Sequence, residues 1–470
     1  MSKISDLPAG AHIHLMGICG VAMASLAGLL KNMGYKITGS DQNVYPPMST
    51  LLEDLEIPIM EGYKKENLVP APDFVIVGNV ITKNHEEAIA LLESPIPYTS
   101  LPKAMGEVLI ADRRSIVVSG THGKTTTTSM MAWILEDLGK RPGFLVGGIA
   151  KNFAKSFQLP KSDLFVIEGD EYDTAFFDKV PKFNHYRPYY VLLGKIEFDH
   201  ADIYNSLEDI MQAFYGLAER ANPDGIWIYN AHCENATKVS AKAKSRLVLS
   251  YGIEKGDYQA RNIVYQPEAM QFDMYYQNQK IITIQTKVFG EYNVLNLMNA
   301  LALCHQLELD MNQVAQAVWK FAGVKRRQEI LSEQNGKVLI EDFAHHPTAV
   351  RMTIDAVKKR FQKGRVLAVF EPRSATSRRK VFQQDYIAAF QNADEIWIKK
   401  AGMQEKIQDQ DRFSSEELVD HLKASGKIAH CFDHVDEGAR QISESAKKGD
   451  AIVVMSNGSF DGIYQKIQLT

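Results

Sequence analysis

What the 470-residue chain lacks narrows its class before any motif is read. No apolar run approaches the ~20 residues a helix needs to cross a bilayer, so no stable membrane association is expected. The N-terminus has no basic segment followed by an apolar stretch and a small-residue cleavage site, which argues against a secretory signal. Four cysteines (Cys19, Cys233, Cys304, Cys431) are scattered without a Cys-x-x-Cys pair, so neither a zinc site nor a disulfide framework is implied. Neither sign of charge dominates: 53 Lys and Arg face 57 Asp and Glu, and a net charge of −4 gives no electrostatic reason to expect a nucleic-acid partner. Internal repeats and long low-complexity linkers are also missing. What remains is 45% hydrophobic and 23% charged, the balance of a globular protein. The length suggests about two to four domains, and a cytoplasmic enzyme is the expectation.

Against that plain background one stretch stands out. Ser115 to Val118 is a short β-branched apolar run, and Met130, Met131, Ile134, Leu135 and Leu138 recur at helical spacing up to Gly139. Between them lies Gly120-Thr121-His122-Gly123-Lys124-Thr125-Thr126. Glycines let the amides of such a turn close on phosphate oxygens, and the helix N-terminus adds favourable partial charge. Lys124 would neutralise the β- and γ-phosphates, and a hydroxyl of Thr125 or Thr126 could hold Mg2+. The spacing Gly-x-x-Gly-Lys-Thr is two residues shorter than the usual P-loop. A bare Gly-Lys-Thr can also be only a turn and helix start; strand and helix at the right offsets favour nucleotide binding.

Three α/β segments follow one another along the chain, at 1–112, 113–325 and 326–470. The first opens with a strand at His12 to Met16, the turn Gly17-Ile18-Cys19-Gly20 and a helix carrying Met23, Leu26, Ala27 and Leu30. A second strand at Tyr35 to Thr38 runs into Gly39-Ser40-Asp41, and Phe74 to Val77 reads as a third. This order is that of a Rossmann-like unit, but the glycine spacing is not Gly-x-Gly-x-x-Gly, so any pyrophosphate could sit there rather than NAD in particular. The second segment adds strands at 164–167, 190–193, 226–229 and 246–249, hairpin-like alternation from 256 to 288, and a helix from Asn296 to Leu307. In the third, strands at 338–340, 366–370, 395–398 and 451–454 alternate with helical patterns, which indicates a mainly parallel sheet.

Several residues at strand ends could carry chemistry. Glu168, within a densely acidic run to Asp173, could meet Mg2+, which prefers oxygen ligands; an acidic surface turn is the alternative. Asp199-His200 is expected to close a strand-like stretch from Leu192 to Phe198, which would aim His200 into a ligand crevice. Asp342, His345 and His346 follow a strand and precede a helix, as proton shuttles, ligand contacts or plain loop capping. Arg326 and Arg327 suit phosphate or carboxylate, or form a solvated basic linker. Arg373 and Arg378 follow a strand end, as do Ser456, Asn457 and Gly458. Asn293, Asn296 and Asn299 could form one helix face that reads adenine, with capping by Asn293 equally natural.

Taken together, these pieces resemble the Mur ligase family of ATP-dependent amide-bond-forming enzymes over essentially the whole chain. Gly-Thr-His-Gly-Lys-Thr at 120–125, Glu168, Asp199-His200, the Asn-rich helix start at 293 and the Arg pair before Asp342 and His345-His346-Pro347 follow in that family's order. The resemblance implies three consecutive α/β domains: Rossmann-like, central P-loop, and a second Rossmann-like domain. It further implies Mg2+, with ATP as co-substrate, UDP-N-acetylmuramate as the acid and a diaminopimelate-containing tripeptide as the amine, in peptidoglycan recycling. The motifs Asp41 to Thr50, Glu168 to Asp178, Phe370 to Ser374 and Met455 to Phe460 point to that acceptor, free L-alanine being the alternative. On this resemblance Lys124, Glu168, His200 and His346 are catalytic, and Thr125, Glu168 and His200 face the metal. Residues 120–126 with Asn293, Arg327 and Asp342 bind ATP, Gly17 to Gly20 with Ser40 and Asp41 hold the UDP-sugar, and His345, Arg373, Arg378 and Ser456 to Gly458 meet the peptide. Two family features are missing: no lysine for carbamylation stands in Met211 to Tyr215, and no Asp-Asn-Pro-Arg signature is present. A P-loop ATPase switch without ligase activity is the more distant alternative.

Overall fold

Three sheets with parallel cores organise the computed structural model, which describes residues 3–469 except 47, 154, 202, 403 and 406. These residues group into two compact units, one of 1–197, 208–258 and 299–317, the other of 198–207, 259–298 and 318 onward.

The first unit holds two of the sheets. Five parallel strands run in the order Ile59–Glu61, Lys36–Asp41, His12–Met16, Phe74–Val77, Tyr98–Ser100. Parallel pairing needs helical crossovers on the faces, so the inner strands are rich in buried apolar residues; Ile13, Leu15, Val75, Ile76 and Val77 are fully buried, with His14 and Ser40 as buried polar exceptions. The order reverses beside His12–Met16, which puts the turn after it at the switch point where such sheets take ligands. The second sheet places Arg114–Ser119 between Leu164–Gly169 and Tyr190–Leu193, with Ile226–Asn230 and Leu247–Ile253 continuing it, all parallel. A small hairpin, Asp173–Ala175 with Asp178–Pro181, follows Leu164–Gly169.

These two sheets share a packed boundary. Gly28, on the helix Val21–Asn32, faces Phe157, and a Cβ there would lie 2.2 Å from the ring's Cζ. Beside it the Ser25 and Ser156 hydroxyls pair at 2.7 Å, both buried. Gly28→Ala is expected to destabilise the protein by about 1–3 kcal/mol through overpacking, read as a lower urea midpoint.

In the second unit, Met270–Tyr276 and Gln279–Thr286 form the expected antiparallel hairpin. Its six-stranded sheet has the order Glu329–Gln334, Lys337–Asp342, Ala451–Met455, Val366–Phe370, Glu395–Lys399, Ile428–Phe432, antiparallel only at the first pair. The last strand of the chain inserts between Lys337–Asp342 and Val366–Phe370, so Asp342, Glu371 and Ser456 emerge side by side at the carboxyl ends. Among the described residues no helix is long and apolar enough to cross a membrane.

Two expectations need correction. The stretch from Leu192 to Phe198 is not one strand: Tyr190–Leu193 ends early, because Gly194 N–H turns to the Ser119 carbonyl and the Lys195 carbonyl accepts from Thr121 N–H. Ile196 is fully buried beyond the strand's end, with its N–H on the Cys233 sulfur and its carbonyl accepting from Asn235. The helix expected from Asn296 begins earlier, at Glu291, so Asn293 lies in its first turn and does not cap it.

Candidate active site

The phosphate loop forms as its sequence predicts. Arg114–Ser119 runs into the turn and the helix Lys124–Asp137 leaves it, with Gly123 left-handed at the N-cap. At Gly120 φ is +127°, and the Lys195 carbonyl passes 3.0 Å from where a Cβ would be, so only glycine fits. The Thr121 hydroxyl bonds Glu197 N–H and C=O, and His122 Nε2 pairs with Glu197 Oε2 at 2.9 Å, tying the loop to the segment after Tyr190–Leu193. Glu197 is held below the usual carboxylate range: burial opposes this, and the His122 and Lys195 partners outweigh it. Thr126 is buried in the first helical turn.

Lys124 sits in an acidic cage. Its Nζ donates to the Gly120 carbonyl at 2.8 Å and to Glu171 Oε2 at 2.9 Å, with Asp170 Oδ1 at 3.8 Å. Burial alone would lower this ammonium, but Glu171 and Asp170 outweigh it and hold it charged. Asp170 in turn pairs with Lys182 at 3.0 Å, and Lys182 lies over the Tyr172 ring. Glu171, Asp170, Lys182 and Glu197 went unselected in the sequence; the acidic run 169–173 was the available signal for the first two.

Glu168 stands at the carboxyl end of Leu164–Gly169. It accepts from the Thr125 hydroxyl at 3.0 Å and from Gly147 N–H at 2.5 Å. Burial, and then the Asp170 charge, raise its pKa. A carboxylate in that condition, beside a hydroxyl oxygen, is a hard-oxygen set that a divalent cation would relieve, so Thr125 and Glu168 fit Mg2+.

The turn after His12–Met16 is pinned from Lys36–Asp41. The Ser40 carbonyl accepts from Gly17 N–H at 2.8 Å and Ile18 N–H at 3.0 Å, and Asp41 Oδ2 accepts from Cys19 N–H at 2.8 Å. Gly20 N–H turns back to the Gly17 carbonyl. The four amides of the turn are thus engaged internally, and an anion there would meet the following helix's first amides rather than the turn's own. Burial and Asp41 push the Cys19 thiol up to about 11. Of the expected motif from Asp41 to Thr50, Pro47 lies outside the described residues.

The remaining residues lie in the second unit and form three groups. His200, with φ +54°, follows Asp199, which its own N–H bonds at 2.7 Å. Asp199 is held down to about 2: burial opposes, while His200, His345 and His346 favour its charged form. His346 is the N-cap of Pro347–Arg360; its Nδ1 accepts from Thr348 N–H at 3.2 Å and its Nε2 meets the Phe198 carbonyl, so the capping alternative holds for this ring. The His345 Nδ1 meets the Phe343 carbonyl at 3.0 Å and must carry a proton there, which leaves Nε2 as its basic nitrogen.

Asn293, Arg327 and Asp342 form the second group. Asn293 Nδ2 donates to the Phe289 carbonyl, Gln328 N–H donates to Asp342 at 2.8 Å, and the Gln328 amide meets the Tyr292 hydroxyl. Burial raises Asp342 against the opposing Arg327 charge, and Arg327 lies over the Phe343 ring at 4.7 Å. Arg326 is no solvated linker: with φ +61° it bonds Glu341 at 2.7 Å and the carbonyls of Ser456 and Gly458.

The third group is Glu371, Arg373, Ser456, Asn457 and Gly458. The Ser456 hydroxyl donates to Glu371 at 2.6 Å, and Gly458 N–H donates to Ser456 Oγ. Asn457 Oδ1 is buried with no hydrogen-bond partner among the described residues. Arg373 reaches Glu371 at 3.8 Å and crosses Gly458 closely. Arg378 instead folds back on the Ser374 carbonyl.

A phosphate loop whose lysine and carboxylate are both buried, set on parallel α/β sheets, defines a P-loop enzyme that handles a nucleotide triphosphate. Comparison with known proteins takes this further. Three family descriptions tile the chain: Mur ligase family, catalytic domain over residues 12–113; Mur ligase middle domain over 118–304; and Mur ligase, glutamate ligase domain over 326–458. The chain belongs to the Mur ligase family, with its three-domain α/β fold, and is an ATP-dependent amide-forming ligase. It is 38% identical to the UDP-N-acetylmuramate–L-alanyl-γ-D-glutamyl-meso-2,6-diaminoheptandioate ligase of Escherichia coli K12, over 97% of each chain. A UDP-N-acetylmuramate–L-alanine ligase of Clostridium botulinum (strain Kyoto) is 32% identical over 95% of each. The crystal structure of a murein peptide ligase from Psychrobacter arcticus superimposes with a TM-score of 0.72 at 35% identity, covering 97% of this chain and 98% of that one.

Proposed function

We propose that the chain joins the tripeptide L-alanyl-γ-D-glutamyl-meso-diaminopimelate to UDP-N-acetylmuramate through an acyl phosphate, in cytoplasmic recycling of peptidoglycan. The observation that carries this is the caged Lys124 beside Glu168, in a chain that matches the tripeptide ligase end to end at 38% identity and L-alanine ligases at 32%. Residues 1–112 would take the UDP-sugar, 113–325 the ATP, and 326–470 the peptide. Mg2+, when bound, would spread the phosphate charge, with Thr125, Glu168 and His200 as its protein contacts.

The lactoyl carboxylate attacks the γ-phosphorus, the bond to ADP breaks, and an acyl phosphate forms. This step depends mostly on positioning and on neutralising spread charge, which is the task of Lys124. The neutral L-alanyl amine then attacks the acyl carbon, and phosphate leaves. Lys124 and Arg327 would stabilise the tetrahedral oxyanion. The amine must lose a proton, and His345 and His346 are the candidates to take it. Asn293 and Asp342 would meet the nucleotide. Arg373, Arg378 and Ser456 to Gly458 would meet the peptide's carboxylates and amides.

The deciding experiment is a phosphate-release and product assay with ATP, UDP-N-acetylmuramate and a panel of amines. Amide product with the tripeptide in preference to free L-alanine is expected. A preference for L-alanine would transfer the assignment to the L-alanine ligases, and phosphate release that ignores the sugar nucleotide would leave only an ATPase. A second variant probes the peptide end. A Cβ at Gly458 would lie 2.3 Å from Arg373 Cδ, part of a flexible chain, so Gly458→Ala should displace Arg373 and spare the fold. The tripeptide KM should rise about tenfold, the worth of one charge-assisted hydrogen bond, with the melting temperature nearly unchanged.

A further inference from the structure

Beneath the turn Gly17–Gly20 lies a buried polar network that no step above uses. Glu87, from the first turn of the helix Glu86–Glu93, is fully buried, as are His14 and Ser40. Its Oε1 meets His14 Nε2 at 2.8 Å; its Oε2 accepts from the Ser40 hydroxyl at 2.8 Å and from Asn67 Nδ2 at 3.2 Å. His14 Nδ1 meets the Thr38 hydroxyl at 2.8 Å, which meets His12 Nε2 at 2.8 Å. The chain can be drawn in one direction, His12 to Thr38 to His14 to Glu87, with each donor used once.

Such a network is a poor source of stability. Desolvating the carboxylate and imidazole offsets much of what their hydrogen bonds return, and apolar side chains of the same volume often serve as well. What it does provide is a fixed position for one residue. Ser40 is held through its hydroxyl by Glu87, and its carbonyl holds the amides of Gly17 and Ile18. Asp41, the next residue, holds Cys19. Three of the turn's four amide bonds therefore run to the end of Lys36–Asp41, and the Glu87 carboxylate is its buried anchor.

We infer that Glu87, acting with His14 through Ser40, is a positioning residue for the diphosphate of the nucleotide-sugar substrate. Glu87 touches no substrate. It fixes the turn at whose helix the diphosphate docks, and it sets affinity for UDP compounds while leaving the ATP chemistry alone. This inference rests on the assignment of the first segment to UDP-N-acetylmuramate.

The test is titration calorimetry of the full chain with UDP and with UDP-N-acetylmuramate, alongside KM and kcat. Glu87→Met keeps the side chain's length and removes both carboxylate oxygens, so His14, Ser40 and Asn67 all lose their shared acceptor and the network cannot close. The Kd for both UDP compounds should rise about tenfold, with kcat and the ATP KM within about twofold. His14→Leu removes the network's other buried member without touching the turn and leaves Ser40 and Asn67 on the carboxylate, so it serves if Glu87→Met folds poorly. The double variant should bind no more weakly than the worse single one, since both break a single path. A merely structural role would lower the melting temperature and leave Kd unmoved; unchanged Kd in folded Glu87→Met and His14→Leu, or additive losses, overturns the inference. If the unaltered chain binds ATP but neither UDP compound, the substrate assignment itself fails.

Discussion

Lys124→Ala is expected to lower the rate of acyl-phosphate formation on the order of 10³-fold, the scale on which a single well-placed cation or donor acts in phosphoryl and acyl transfer. The side chain is 11% exposed, and its ammonium is held between the Gly120 carbonyl and Glu171 at the start of the helix. Formation of ADP from ATP and UDP-N-acetylmuramate, in the absence of amine, reads this step directly. The variant also strands Glu171 as a buried carboxylate, and instability would confuse the result. Combining it with Glu171→Gln removes that charge: the pair should regain melting temperature and remain inactive. Recovery of activity in the double variant would mean that the loss came from folding and not from phosphoryl transfer.

Glu168→Gln is expected to cost at least about a hundredfold in kcat/KM, because even outer partners of metal ligands are worth 10–100-fold. The substitution keeps the side chain's length and leaves an oxygen for Thr125 or Gly147, so the fold should survive. What it removes is the charge that burial and Asp170 already make costly to hold, and that a divalent cation would compensate. The loss should therefore shrink as Mg2+ is raised, and magnesium titrations of both proteins measure that directly. An equal deficit at every Mg2+ concentration would assign Glu168 to another task.

Much of the framework was legible because parallel sheets demand continuous apolar runs. His12–Met16, Phe74–Val77, Tyr190–Leu193 and Val366–Phe370 fall where the sequence put them. The same signal misled at Leu192 to Phe198, where Ile196 is fully buried beyond the end of the strand and does not pair in the sheet. The phosphate loop was readable from spacing alone, yet its side chains were not: Thr121 and His122 point to Glu197, about 75 residues onward, and no local pattern encodes such a partner. Arg326 shows the same limit. A basic pair between segments looks like a linker until the chain returns 130 residues later and presents the Ser456 carbonyl. The hairpin Asp173–Pro181 was hidden for a different reason: its residues alternate too briefly to register, and its acidic approach reads as a surface turn.

The cage around Lys124 bears on how this protein meets the anions of a cell. A phosphate loop with an uncommitted lysine would collect any small oxyanion in passing. Here a newcomer must first evict Glu171, an internal rival that never diffuses away and that added salt screens poorly, since it is 1% exposed. Inorganic phosphate lacks the adenine and ribose contacts needed to win that exchange. Turnover in crowded, phosphate-rich solution should therefore be nearly indifferent to the very product the reaction releases.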